Sequence, residues 1–309
     1  MRRGLILMAA LTALCWGQLV PTRFSLHKVT VDSTVSYMVD STSFPGLASN
    51  SVLDIRATGD SLLLFGTSRG LSLTPDLGTT FRSYVADKVN LPEGGISALA
   101  VEGDTITVAG MKDTVVAGSG KVLGTGIAFS TDGGDIWTYK DQPTDESSDT
   151  TFLWVGNTVR KLAVTTAINN VTYDVAVSQG TIWTTSWAGG LRRYDLSGGQ
   201  WTPVPLPRDN DTTLSCDEIP EDYVLNPRDP GDGGNHNHKV FSVVAYDSLV
   251  WVGTAAGINK GIVDAATGCI TWTHYKAQWG GRSISGNWVV ALHRQVTADG
   301  TERIWAATV

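Results

Sequence analysis

Beyond residue 47 the chain is a succession of short apolar or alternating runs, each closed by Gly, Asp or Ser. One unit recurs. A β-rich run meets a small polar turn, a second apolar run follows, and a Gly-containing turn leads to further strands. The first copy is Ser51–Arg56, a turn at Gly59-Asp60-Ser61, Leu62–Thr67 and then Gly70-Leu71. The second is Ile96–Val101, Gly103-Asp104, Ile106–Gly110 and Gly126-Ile127. The third is Tyr173–Val177, Gln179-Gly180, Ile182–Ser186 and Gly190-Leu191. The fourth is Val240–Ala245, Asp247-Ser248, Val250–Thr254 and Gly257-Ile258. A fifth opens at Trp288–Leu292, turns at Asp299-Gly300 and reaches Ile304–Thr308. Helical periodicity is nearly absent, and Val, Ile, Thr and Trp fill the runs, so these are strands.

Aligning Leu62, Ile106, Ile182, Val250 and Ile304 gives spacings of 44, 76, 68 and 54 residues. The shortest fits one four-stranded blade, and the longer ones are a blade plus an insertion. The predicted fold class is therefore all-β, a β-propeller of four-stranded blades, with four blades and an opened fifth. A closed propeller needs four to eight whole blades, so the expectation is that the chain is part of a longer polypeptide with an incomplete last blade. The expected domains are a signal segment at 1–17, a lead-in segment at 18–46 and blades at 47–309. Within the lead-in, Val29–Val39 has the pattern of a strand that could close the ring. The repeat-locked Trp183, Trp251 and Trp305 are expected to pack between blades, which accounts for part of the excess of 11 Trp over 7 Phe.

Two turns carry a recognisable hairpin. Ser130-Thr-Asp132-Gly-Gly134-Asp-Ile-Trp137 follows the pattern Ser-x-Asp-x-Gly-x-x-Trp, and Thr74-Pro-Asp76-Leu-Gly78-Thr-Thr-Phe81 is a relaxed version. In such a turn the Asp can accept backbone N–H groups and Gly supplies the unusual dihedrals. These hairpins resemble the Asp-box of sialidase-like propellers. Trp251-Val-Gly-Thr254 with Gly257-Ile-Asn259, and Trp187–Tyr194, resemble the propeller repeats of two-component regulators. The combination is similar to a group of secreted bacterial propeller proteins. The resemblance implies a structural role for the Asp-box residues, on the face away from any binding site, and it is specific for fold rather than function.

The chain opens Met1-Arg2-Arg3-Gly4 and then runs apolar from Leu5 to Trp16, the pattern of an export signal with a cleavage point after Gly17. That run is too short to span a bilayer, and no later run is longer. Net charge is -7, which disfavours a nucleic-acid binder held by phosphate contacts. After removal of Cys15 two cysteines are left, Cys216 and Cys269. Pairing and two separate thiols are both open readings.

Candidate chemistry falls in the loops that enter the inner strands and in those that join second to third strands. These loops share one face, and the three insertions (110–126, 143–170 and 205–239) lie in them. The last holds eight acids and ends Gly231-Asp-Gly-Gly-Asn-His-Asn-His238. His236 and His238 have transition-metal donor chemistry, and Asp229 with Asp232 have Ca²⁺ donor chemistry. Neither pair has a full ligand set, so the loop is read as solvated and acidic, with no metal and no cofactor. Asn169, Asn170 and Asn287 precede inner strands and either cap turns or line the axial mouth. The candidate binding residues are Asn170, Asp229, Asp232, His236, His238 and Asn287, facing a protein or glycan ligand. No catalytic residues emerge: a paired acid and base, a Tyr nucleophile and an arginine cluster are not recognisable. The expected function is a secreted or cell-surface binding module without catalysis. The alternatives are the extracellular sensor of a two-component receptor and a sialidase-like or xyloglucanase-like glycoside hydrolase.

Overall fold

The computed structural model describes residues 46–278, 281 and 283–309. The signal and lead-in segments fall outside them. Blade 1 is β1 (Val52–Thr58), β2 (Leu62–Thr67), β3 (Gly70–Thr74) and β4 (Arg82–Tyr84). Blade 2 is β5 (Gly95–Glu102), β6 (Thr105–Val116), β7 (Ser119–Ser130) and β8 (Thr138–Lys140). The hairpin of β9 (Thr151–Trp154) and β10 (Asn157–Lys161) precedes blade 3, which is β11 (Thr172–Ser178), β12 (Thr181–Ser186), β13 (Gly190–Asp195) and β14 (Trp201–Pro203). The short β15 (Thr213–Leu214) and β16 (Val224–Leu225) precede blade 4, made of β17 (Val240–Tyr246), β18 (Leu249–Thr254), β19 (Gly257–Val263) and β20 (Ile270–Tyr275). Blade 5 is represented by a two-stranded sheet of β21 (Val289–Val296) and β22 (Glu302–Thr308). The four blades are antiparallel meanders with their strands in chain order. The inner strands of the four blades, β1, β5, β11 and β17, and β21 of the two-stranded sheet pack side by side in that order. The chain is a β-propeller of four-stranded blades, and no described helix is long and apolar enough to cross a membrane.

The repeat pattern has two local causes. The first turn of each unit uses residues with positive φ, such as Gly59, Gly103, Gln179 and Asp247, which let two antiparallel strands join tightly. The Gly that opens the third strand is required by packing. A Cβ at Gly70 or Gly257 would run into the carbonyl oxygen of Tyr84 or Tyr275 on the fourth strand.

The core lies between blades. Leu64, Leu71, Ile96, Leu99, Ile106 and Trp137 fill the first gap. Ala98, Ala109, Ile127, Val175, Ile182 and Tyr194 fill the second. Trp183 packs in the third with Val250 and Trp272, the interblade role expected of it. Trp251 instead stacks on Tyr275, with ring centroids 6.5 Å apart. Trp305 departs from the expectation: it is 55% exposed on the two-stranded sheet, where no described strand covers it.

Both predicted Asp-containing turns join a third to a fourth strand. Asp132 accepts the N–H of Asp135 and of Ile136, and Ser130 Oγ accepts that of Gly134. Trp137 donates from its ring N–H to Gly134 O and lies edge-on to Tyr84. In the relaxed turn Asp76 accepts from Thr74 Oγ1 and from the Thr80 N–H, Thr74 Oγ1 accepts the N–H of Gly78, and Phe81 stands 6.3 Å from Phe65.

The insertions are more ordered than their composition suggests. Residues 110–126 extend β6 and β7 into a projecting hairpin. The other two meet, because β16 pairs in parallel with β10 and forms the sheet β16-β10-β9. The expectation of a solvated acidic loop at 205–239 is corrected. Leu206, Leu214, Tyr223 and Leu225 are buried beside Trp154 and Trp272, because apolar residues are interspersed among its acids. A buried charge triad fixes the earlier insertion: Asp145 pairs with Lys161 at 2.7 Å and with Arg192 of β13 at 2.8 Å. Burial alone would raise the Asp145 pKa, but bonds from Arg192, Lys161 and the Val164 N–H outweigh it and hold the group low.

Cys216 and Cys269 form a disulfide, with Cα atoms 5.8 Å apart, that ties the 205–239 insertion to the turn before β20. Closing a loop of 53 residues restricts the unfolded chain by about 4 kcal/mol in the entropic account. Reduction, or replacement of both cysteines by Ser, is expected to lower unfolding free energy by about 2–4 kcal/mol in urea titrations. An unchanged midpoint under reductant would contradict the assignment.

Candidate functional site

Every inner strand carries one extra residue near its start. The registers skip Leu53, Ser97, Tyr173, Phe241 and Val290, one per blade, so each is a β-bulge residue. A bulge re-aims a side chain and breaks the pleat locally. None of the five is buried, although in blades 2 and 4 both flanking residues are. They mark the axial mouth of the face where the inner strands begin. The three insertions leave from this same end, as the loop pattern predicts.

Three of the blades turn this mouth into an aromatic shelf. Tyr173 and Phe241 stand 6.0 Å apart by ring centroid. Trp187, in the β12–β13 turn, is 5.5 Å from Phe241 and 5.7 Å from Trp288, which precedes β21. Phe241 and Trp288 are 5.9 Å apart. Tyr173 is 46% and Trp288 43% exposed. Beneath the shelf, Lys239 places its ammonium 4.5 Å over the Trp187 ring and pairs with Asp229. Asp229 accepts on the same oxygen, Oδ1, from His236 at 3.3 Å, and the Lys239 contact holds its pKa below the usual range.

Just inside the mouth the inner strands are bonded to one another. Asp54 Oδ2 accepts the Leu99 N–H of the next blade at 3.0 Å, and Asp174 Oδ2 accepts the Val243 N–H at 2.9 Å. Ser97 Oγ donates to Thr172 O at 2.8 Å. Arg56 reaches from blade 1 to Asp54 and, at 3.2 Å, to Asp174 of blade 3. Burial pushes Asp174 up to about 7, against its two backbone N–H bonds and Arg56. Burial likewise raises Asp54, opposed by Arg56.

The predicted binding residues separate into two groups. Asn170 and His238 are buried, at 1% and 0% exposure, with structural bonds. Asn170 donates to Pro143 O and accepts from Ser186 Oγ. His238 accepts the Asn226 N–H at 2.9 Å and lies 3.1 Å from Leu206 O, and burial lowers its pKa to about 4. Asp229, Asp232, His236 and Asn287 reach the surface, wholly or in part. Asn287 accepts the Ala277 N–H, and Asp232 ends a short 3-10 turn. His236 and His238 therefore do not converge. Among the described residues no group of three metal-ligating side chains gathers. Lys239 holds the position beside Asp229 that a cation would take. The aromatic shelf itself was not predicted. Its sequence signal was the large residue at the second position of the third and fourth inner strands, Tyr173 and Phe241.

Clefts open on both faces of the blades. One of about 770 Å³ lies between blade 2 and the 143–170 insertion, lined by Asn90, Glu93, Lys112, Thr125, Tyr139 and Gln142. The other, about 580 Å³, opens on the opposite face between blades 3 and 4. Arg193 lines it, donating to Gly268 O and packing 4.4 Å from the Trp154 ring centre.

No protein-family model matches the chain, and no curated protein matches it. Solved structures with a similar fold include the extracellular domain of a one-component system from B. thetaiotaomicron, at 16% identity and TM-score 0.47. That match covers 84% of this chain and 26% of that one, so this chain spans about a quarter of its length. The β-propeller domain of Cps50 (Swd1) from Myceliophteria thermophila is 15% identical, with TM-score 0.44, covering 86% of this chain and 64% of that one. An ancestral GH74 enzyme is 15% identical, with TM-score 0.41, covering 86% and 39%.

His238 and Asp174 titrate in opposite senses. His238 has a native pKa of about 4 against 6.5, so its contribution is present above pH 6.5 and is lost as pH falls toward 4. Asp174 has a native pKa of about 7 against 3.8, so its contribution is present below pH 3.8 and is lost as pH rises through 7. Histidine C2-proton NMR is expected to place the His238 midpoint near 4, and carboxyl-carbon NMR the Asp174 midpoint near 7. A His238 midpoint near 6.5 would show that its ring is not buried as described.

Proposed function

We propose that this chain is an exported, non-catalytic propeller module that binds its ligand at the axial mouth of its loop-elaborated face. The observation that carries the reading is the half-exposed aromatic shelf, built from the inner-strand residues Tyr173 and Phe241 of blades 3 and 4 and from Trp187 and Trp288 in the adjoining turns. Binding sites concentrate on loops held by a rigid scaffold, and exposed aromatic patches are the surfaces most often used for recognition. The Cys216–Cys269 disulfide supports export, since such bonds persist in oxidising compartments. The basic and apolar opening of the sequence supports it independently. The carboxylates nearest the mouth are engaged in structural bonds: Asp54 and Asp174 with backbone N–H groups and Arg56, and Asp229 with Lys239. That arrangement suits a binding surface better than an acid–base pair held ready for a substrate. The Asp-containing turns on the opposite face serve as structural clasps in this reading.

Two measurements test it. Expressed with its own first 46 residues, the protein is expected outside the cytoplasm with no free thiol. Cytoplasmic retention with Cys216 and Cys269 both titratable would contradict export. Incubation with polysaccharides and sialosides is expected to release no new reducing ends or sialic acid. Turnover that disappears in Asp229→Asn would replace this reading with a glycoside hydrolase.

A further inference from the structure

Resting on that reading, we propose that the shelf of Tyr173, Trp187, Phe241 and Trp288 is a stacking platform for neutral saccharides, taking the pyranose rings of an oligosaccharide. The shelf has no evident structural duty. The equivalent bulge positions in blades 1, 2 and 5 are Leu53, Ser97 and Val290, and those inner strands form without an aromatic ring there. The shelf is also rigid. Bulges fix Tyr173 and Phe241, and Lys239, at 3% side-chain exposure, supports Trp187 from below. Little ordering is then required when a ligand arrives.

Charge decides the class of ligand. The ammonium of Lys239 is matched by Asp229, and the guanidinium of Arg56 by Asp54 and Asp174. An anionic ligand would meet no unpaired cation at the rings. A wholly apolar ligand would set its surface against Asp229, His236 and Asn287 at the rim, at a desolvation cost. A sugar satisfies both surfaces. Its axial C–H groups lie on aromatic faces, and its equatorial hydroxyls reach polar groups at the edge. Asp229 presents such a group, because its contacts among the described residues fall on Oδ1 and leave Oδ2 to accept from a hydroxyl.

The test is affinity electrophoresis of the full chain through gels containing soluble β-glucan, xylan or galactomannan, with calorimetric titration of cello-, xylo-, manno- and chito-oligosaccharides. At least one glycan is expected to retard the protein and to perturb its tryptophan emission. Trp288→Ala and Tyr173→Ala should each weaken binding tenfold or more with an unchanged unfolding midpoint. Trp305→Ala, an exposed tryptophan outside the cluster, should bind as the parent does. If Trp288→Ala fails to fold, Trp288→Phe keeps a smaller ring on Phe241 and should weaken binding several-fold. Absence of binding to every glycan overturns the saccharide assignment, and so does full binding in the Trp288→Ala, Tyr173→Ala double variant. A peptide library that perturbs the same tryptophans when no glycan does would overturn the ligand class and leave the mouth as the binding face. Silence from both overturns the mouth reading as well.

Discussion

The arrangement of the mouth depends on one contact made twice: a carboxylate on an inner strand accepts a backbone N–H from the inner strand of the next blade. Asp54 does this to Leu99 and Asp174 to Val243. Each carboxylate directly follows a bulge residue, so the bulge and the bond form one unit. The bulge frees a residue from the ladder and turns it toward the mouth, and the bond that follows fixes how far the neighbouring blade stands away. Where the repeat lacks Asp, a hydroxyl makes the interblade contact, from the bulge position itself in blade 2 and from the Asp position in blade 4. Ser97 Oγ donates to Thr172 O, and Ser242 Oγ lies 3.5 Å from Val289 O. A buried carboxylate is costly unless bonded, and here it accepts two backbone N–H groups and faces Arg56.

Function then follows from what the bulges present. Interblade packing rests mainly on the side chains of the blade faces; of the bulge residues, Ser97 bonds across to Thr172 O, while Tyr173 and Phe241 set their rings beside each other at the mouth. In blades 1 and 2 they carry Leu53 and Ser97; in blades 3 and 4 they carry Tyr173 and Phe241. Trp187 and Trp288 join them from adjacent turns. The ordered insertion behind them, held by the disulfide and by β16 on β10, delivers Lys239 and Asp229 to the same place. The chain thus gathers four partly exposed rings beside the bulges and interblade bonds of its inner strands.

Much of the scaffold was legible because it is periodic. The Leu62, Ile106, Ile182, Val250 and Ile304 register marks the second strand of the four full blades and of the two-stranded sheet; Gly70, Gly190 and Gly257 open third strands, while Gly126 falls inside the lengthened β7. The placement of the insertions on one face followed from the same register. What the sequence did not display is whatever depends on partners distant in the chain. A bulge exists only relative to the neighbouring strand, so Tyr173 read as an ordinary inner-strand residue. The pairing of Cys216 with Cys269 and the parallel union of β10 with β16 are likewise long-range. Polar residues misled for a related reason. Asn170 and His238 look like site residues in a loop, yet each is enclosed by segments that arrive from elsewhere and use its hydrogen-bonding atoms.

Amide hydrogen exchange at Leu99 and Val243 tests the central contact most directly. Both N–H groups are expected among the slowest to exchange, and Asp174→Ala, which removes the acceptor, should speed Val243 while leaving Leu99 protected. Rapid exchange of Val243 in the parent protein, or equal loss of protection at both amides in the variant, would contradict the account that these carboxylates individually hold neighbouring blades together.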